Sequence, residues 1–248
     1  MTDLRLGLLG GTFDPIHVGH LDVAVAAERA LDLTRVVVIP SHVPPHRSGT
    51  VASSFHRFAM AALAVGGHPR WQVSDSELLH AGPSYTADTL RRYHASGVPP
   101  SSLFFLLGAD AFADIALWRE YPAVLDLAHF VVVSRPGRPV TDMPARMPSL
   151  AARMVDAASF AGSSAAAPPA AGRPAHATSI ILVEAPTRAV SSTAVRAALA
   201  AGQDVAADVP EAVRRHIAQH QLYTSHASAP GAAAAVTSSP AGRLHGQD

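Results

Sequence analysis

The sequence predicts an α/β protein, a doubly wound parallel sheet with helices on both faces, and three observations carry that expectation. Short apolar runs alternate with helical patterns along the chain. Several runs are unbroken, Val36-Val37-Val38-Ile39, Leu103-Phe104-Phe105-Leu106-Leu107 and Phe130-Val131-Val132-Val133, as strands covered on both faces require. A Gly-Gly pair closes the first run, where an open α/β sheet keeps its ligand crevice.

Taken in order, the first strand is expected at 4–9, closed by Gly10-Gly11, and a helix follows at 18–31. A strand at 35–40 leads to a helix at 54–66, and a shorter strand at 71–74 leads to a helix at 86–96. Strand 103–107 is followed by helices at 110–116 and 121–127, then come strands at 130–134 and 180–184. Residues 136–178 break the rhythm, because 161–172 are almost wholly Ala, Ser, Gly and Pro. Such composition reads as a surface insertion, with a short helix around 148–158. Residues 225–248 repeat it and read as a disordered tail. A single domain over 1–224 is expected, its compact part being 1–135 and 179–224.

Composition excludes several classes. The 248 residues are 48% hydrophobic and 15% charged, a globular balance long enough to bury a core. There is no cysteine, which removes disulfides, thiolate metal sites and thiol nucleophiles. All 19 basic residues are arginine and balance 19 acidic ones, so no global field attracts nucleic acid or an anionic membrane. No run of 18 apolar residues occurs and the start does not read as a signal segment, so a cytoplasmic protein is expected.

The chemistry concentrates in Gly10-Gly11-Thr12-Phe13-Asp14-Pro15-Ile16-His17-Val18-Gly19-His20-Leu21. Glycines at a strand end let backbone approach a ligand closely. The helix beginning near Val18 offers free N–H groups and a positive dipole end, which suit an anion. His17 and His20, three apart on that helix start, can donate to oxygens that gain charge in phosphoryl-type transfer. The loop lacks the Gly-Lys-Ser/Thr of a P-loop and the Gly-x-Gly-x-x-Gly of a dinucleotide fold. A second stretch, Val190-Ser191-Ser192-Thr193-Ala194-Val195-Arg196, reads as a serine-capped helix start with an arginine fork one turn in.

The two stretches resemble the HxGH signature and the late Ser-Ser-Thr-x-x-Arg signature of the nucleotidyltransferase superfamily, which implies a Rossmann-like sheet. Between them lie Pro40-Ser41-His42-Val43-Pro44-Pro45-His46-Arg47, Pro83-Ser84-Tyr85-Thr86-Ala87-Asp88-Thr89-Leu90, Leu107-Gly108-Ala109-Asp110, Trp118-Arg119-Glu120-Tyr121 and His129 through Gly137. In that order, with an ending from Val209-Pro210 to Leu222-Tyr223, they resemble bacterial nicotinate-mononucleotide adenylyltransferase over nearly all of 4–224.

The resemblance implies that Gly10, Gly11, Thr12 and Phe13 line an ATP site and that His17 and His20 contact its phosphates. Ser191, Ser192, Thr193 and Arg196 would hold the nucleotide from the other side, with His17, His20 and Arg196 the catalytic set. Tyr85 and Thr86 would approach the pyridine carboxylate, Trp118 would stack on the ring, and Asp110 would reach a ribose hydroxyl. Arg47 and Arg135 would serve phosphate or ribose. The implied partners are ATP with Mg2+, nicotinate mononucleotide, and a second copy in a homo-oligomer; no protein-held metal is expected. From residue type alone, Trp118 fits a core and Tyr85-Thr86 or Asp110 fit helix starts as well. Two features depart from the family's pattern: Arg47 stands where lysine is frequent, and the 136–178 insertion is long. Competing readings are an adenylyl- or cytidylyltransferase with another acceptor, nicotinamide mononucleotide included, and a non-catalytic nucleotide sensor.

Overall fold

The computed structural model describes residues 4–44, 50–162 and 178–224. Strands β1 (Leu6–Gly11), β2 (Arg35–Pro40), β3 (Trp71–Val73), β4 (Leu103–Gly108), β5 (His129–Val133), β6 (Met154–Asp156) and β7 (Ile180–Val183) form one sheet in the order β3-β2-β1-β4-β5-β7-β6. All six neighbour pairs are parallel. The order runs outward to β3 on one side of β1 and to β6 on the other, so the winding reverses between β1 and β4. A crevice must open beyond the carboxyl ends of those two strands.

Side-chain period explains how the sheet is covered. Leu9, Val36, Val38, Phe104, Leu106, Val131, Val133, Ile181 and Val183 face one buried layer. Their alternates Leu8, Val37, Ile39, Phe105, Leu107, Phe130, Val132 and Ile180 face the other, as a repeat of two residues demands. The first layer is closed by α1 (Val18–Leu31), α2 (Ser54–Val65), α7 (Ser192–Ala200) and α8 (Glu211–Gln219). The second is closed by α3 (Thr86–Ala95), α4 (Ala109–Ala113) and the turns that follow. Among the described residues, no helix is long and apolar enough to cross a membrane.

Four local expectations change. β1 begins and ends two residues later than expected, because Gly10 and Gly11 stay in register with Ile39 and Pro40 of β2. The helix expected at 110–116 divides into α4 and a 3-10 turn, Ile115–Leu117, and Trp118 then leaves it in extended geometry. That expected at 121–127 shrinks to a 3-10 turn, Ala123–Asp126, since Tyr121 precedes Pro122 and proline disfavours helix one residue upstream. Fourth and largest, the first part of the supposed insertion is built into the fold. In place of a helix around 148–158, it carries α5 (Met143–Arg146), a 3-10 turn Ala151–Arg153, edge strand β6 and α6 (Ala157–Gly162). Met143, Leu150 and Met154 supply the apolar anchors that the low-complexity reading overlooked. The Arg153 guanidinium, buried, donates to Leu125 O at 2.7 Å and Thr178 Oγ1 at 2.9 Å and pairs with Asp126 at 2.8 Å. The most biased stretch, 163–177, and the tail from 225 lie outside the described residues.

Candidate active site

The β1–α1 loop crosses the switch point. A Cβ on Gly11 would stand 2.8 Å from the Phe13 ring, so only glycine lets that ring fold back under the loop. Phe13 itself takes a left-handed φ of 51° and is buried. Its ring meets His20 edge-on at 5.0 Å.

His17 is the N-cap of α1, and its backbone N–H donates to His20 Nδ1 at 3.2 Å. The bond makes His20 Nε2 the protonated nitrogen of the neutral ring. The two imidazoles stack at 3.7 Å and 22°. Gly19 between them leaves a hole that Arg135 fills: a Cβ there would lie 3.0 Å from its Nη1 and 3.2 Å from His17 Nδ1. Arg135 donates to Gly19 O and Val190 O, both at 3.1 Å. His17 Nδ1 is buried and hydrogen-bonded to nothing among the described residues. Burial, and then the Arg135 charge, push the His17 pKa down to about 4, so the ring is neutral at pH 7.

Helix α7 closes the other side. The Ser191 hydroxyl caps it by accepting from Ala194 N at 3.1 Å, and the Ser192 hydroxyl donates to Pro15 O at 3.0 Å. Arg196 donates to Asp14 O at 2.7 Å and to Thr193 Oγ1 at 3.3 Å. Two sequence stretches some 180 residues apart are thus bonded to each other, and the positive ends of α1 and α7 meet at one loop.

Beside that loop lies a cleft of about 270 Å³, lined by Gly10, Gly11, Thr12, Tyr85, Thr86 and Trp118 of the expected residues. Trp118 is half-buried, its ring held against Phe105 at 5.9 Å and Phe130 at 6.3 Å. A flat apolar ring fixed from behind is a stacking platform. Thr86 opens α3, so that helix also points its N-terminus at the cleft.

The remaining expected residues fall elsewhere. Asp110, exposed in the first turn of α4, sits against Gly108, where a Cβ would collide with its carboxylate. It stands close enough to His17 to act on the ring's charge. Arg135 belongs with the histidines and does not line the cleft. Arg47 lies outside the described residues.

Sequence reasoning missed a supporting set. Asp14 is buried, its carboxylate accepting from Val51 N at 2.8 Å, Ala52 N at 3.1 Å and the Tyr223 hydroxyl at 2.7 Å. Arg57, fully buried, donates to Thr12 O at 2.7 Å and His42 O at 3.0 Å. Its signal was visible: it occupies the apolar stripe of α2 with Met60, Ala61 and Ala64, where an arginine needs a reason. Glu77 and Arg119 also line the cleft. Glu77 is buried, which raises its pKa, and it accepts from Thr89 Oγ1 at 2.5 Å. Arg119 lies 4.5 Å over the Tyr85 ring and 3.3 Å from Asp88.

The neutral histidines make stability pH-dependent. His129 shares the burial-driven shift of His17, to about 4. With folded values below the unfolded one of 6.5, the unfolded chain binds protons that the folded chain refuses. Stability is therefore full above that value and is lost as pH falls through the interval. From pH 7 to pH 5 the two rings together should cost about 3 to 4 kcal/mol, read by urea unfolding at both values. An unchanged midpoint would show that both rings accept protons in the fold.

The cytidylyltransferase-like family model matches residues 8–198. A probable nicotinate-nucleotide adenylyltransferase of Roseiflexus sp. (strain RS-1) is 41% identical over 224 residues, 90% of this chain and 100% of the relative. Its counterpart in Chromohalobacter salexigens is 40% identical over 88% of this chain and 95% of the relative. Among solved structures, Plasmodium falciparum nicotinic acid mononucleotide adenylyltransferase complexed with NaAD superposes with a TM-score of 0.64 at 16% identity, covering 89% and 97% of the two chains. With the two signatures joined at the switch point and identity of this order over whole relatives, the chain belongs to the nicotinate-nucleotide adenylyltransferases of the cytidylyltransferase-like family.

Proposed function

We propose that this protein transfers the AMP moiety of MgATP to nicotinate mononucleotide, releasing pyrophosphate and nicotinate adenine dinucleotide. One observation carries the reading: the β1–α1 loop, which carries His17 and His20 and is bonded to the α7 N-terminus, gives Gly10, Gly11 and Thr12 to one side of a cleft that Tyr85, Thr86 and Trp118 also line. The first side offers donors and helix ends for a polyphosphate. The second offers a ring platform and a helix N-terminus for an aromatic acid.

In the reaction an oxygen of the acceptor's phosphate attacks the α-phosphorus of ATP. The bond from that phosphorus to the bridging oxygen breaks, and pyrophosphate leaves with its electron pair. The attacking oxygen is already anionic, so no covalent enzyme intermediate and no strong base are needed. Catalysis is positioning and charge stabilisation. The His20 ring and the neutral His17 ring would donate N–H groups to the phosphates, and Arg196 and the α7 amides would share the charge from the opposite side. Mg2+ arrives as part of the substrate, bound by phosphate oxygens and water. The loop suits that arrangement, because its Asp14 carboxylate is already occupied by two amides and a phenol.

Arg119 gives the selectivity a physical basis. Its guanidinium lies at the cleft beside Tyr85, where it would favour a carboxylate over a carboxamide. The test is pyrophosphate release with nicotinate mononucleotide, nicotinamide mononucleotide and phosphopantetheine at equal concentration. Release should be fastest with the nicotinate compound, and Arg119→Gln should raise its KM roughly three- to tenfold while leaving that of the nicotinamide compound little changed. Turnover with phosphopantetheine alone would overturn the acceptor, and ATP binding without turnover would make the chain a sensor.

A further inference from the structure

A cluster of three histidines lies away from the cleft, where α2 packs on α8. His216 lies in the last turn of α8 and His220 is its C-cap, four residues on, so the two come to one side of the helix end. His56 comes from the first turn of α2. Its Nδ1 is 3.1 Å from His216 Nε2, and one nitrogen from each of the three rings lies within 4.8 Å of the others. The ring centroids are 5.3, 4.8 and 4.4 Å apart.

We propose that His56, His216 and His220 form a site for a transition-metal ion of the Zn2+ class, distinct from the Mg2+ that accompanies ATP. In a tetrahedral zinc site with Zn–N bonds of about 2.0–2.1 Å, ligand nitrogens lie about 3.3 Å apart. Small side-chain rotations from the present positions reach that arrangement. Three imidazoles without a carboxylate suit Zn2+, Cu2+ or Ni2+ and are poor ligands for Mg2+ or Ca2+. His220 is exposed, leaving the fourth position to water. The alternative occupant of the cluster is nothing but its own His56–His216 hydrogen bond.

The location gives the ion a consequence. Arg57, the next residue after His56, holds Thr12 O and His42 O, and Tyr223, three residues after His220, holds the Asp14 carboxylate. A bound ion would cross-link the two segments that brace the phosphate loop, and an ion that binds only the folded chain raises its melting temperature.

The test uses the full chain without a histidine tag, stripped by EDTA and then dialysed. Co2+ serves as the spectroscopic probe, and Zn2+ is titrated by calorimetry in the absence of ATP. One equivalent of Co2+ should give the intense visible bands of four-coordinate cobalt, bleached by Zn2+. His220→Ala, an exposed change that leaves the core alone, should weaken Zn2+ at least tenfold and abolish the Zn2+-dependent rise in Tm. His68→Ala, at a histidine outside the cluster, should change neither. Equal Zn2+ affinity in wild type and His220→Ala, or only the pale spectrum of six-coordinate cobalt, would overturn the site.

Discussion

His20→Ala should lower kcat at least a hundredfold, which is about 3 kcal/mol of transition-state stabilisation, in a protein that still folds. The size follows from what the ring does. Its Nδ1 accepts from the His17 N–H, so in the neutral ring the proton sits on Nε2, and that N–H is the donor the ring would offer a phosphate. A single preorganised donor aimed at developing charge is worth roughly a hundred- to a thousandfold. The same substitution also removes a helix cap, at about 1 kcal/mol. His20→Gln separates the two losses, because glutamine at the third helical position is itself a capping residue. The glutamine variant should recover Tm but not kcat. Recovery of both would leave His20 as a cap and nothing more, and a near-normal kcat in folded His20→Ala would remove it from the chemistry.

The neutrality of His17 sharpens this. Burial and then Arg135 hold its pKa down to about 4, so at pH 7 it would act through an N–H dipole and not through a full charge. Gly19 gives that neighbour its room, since a Cβ there would crowd the guanidinium at 3.0 Å. The histidine–glycine–histidine spacing therefore encodes two things. The histidines would supply donors, and the glycine admits an arginine that adds to the burial holding His17 uncharged.

Only the first of those was legible in the chain. Period and composition located the strands at 35–40, 103–107 and 130–134 to within a residue or so, because buried parallel strands are nearly continuous apolar runs. The cleft residues Tyr85, Thr86 and Trp118 were legible through resemblance, and the structure puts them on one cavity. Strand β6 was not, being three residues at the sheet's edge inside a turn-rich stretch. Nor was Arg135's placement, which depends on its reaching Gly19 across 116 positions and Val190 across 55. The Asp14–Tyr223 bond spans 209 positions, and no local pattern announces such a pair. Arg57 is the instructive failure, because its sign, a charge inside an apolar stripe, was local and present.

Arg57→Met should accordingly destabilise the protein by about 3 to 5 kcal/mol and reduce kcat as well. Methionine fills much the same length of side chain but donates nothing. Thr12 O and His42 O, both part-buried, would then lose a charged donor, each bond worth about 1.5 to 3 kcal/mol, and in wild type both are served by one charged group. An offset exists, since burial lowers the Arg57 pKa and so opposes its charge, and losing that desolvated guanidinium recovers part of the cost. The carbonyls should outweigh it, because they sit on the two loops that border the cleft and the one guanidinium ties those loops together. Movement of Thr12 displaces the phosphate loop, so kcat should fall tenfold or more even at a temperature where the variant is fully folded. Arg57→Lys, with one ammonium in place of a two-pronged fork, should lie between in both Tm and kcat. A Met variant with wild-type Tm and kcat would mean that the loop is held by the Asp14 cluster alone, with Arg57 a passenger.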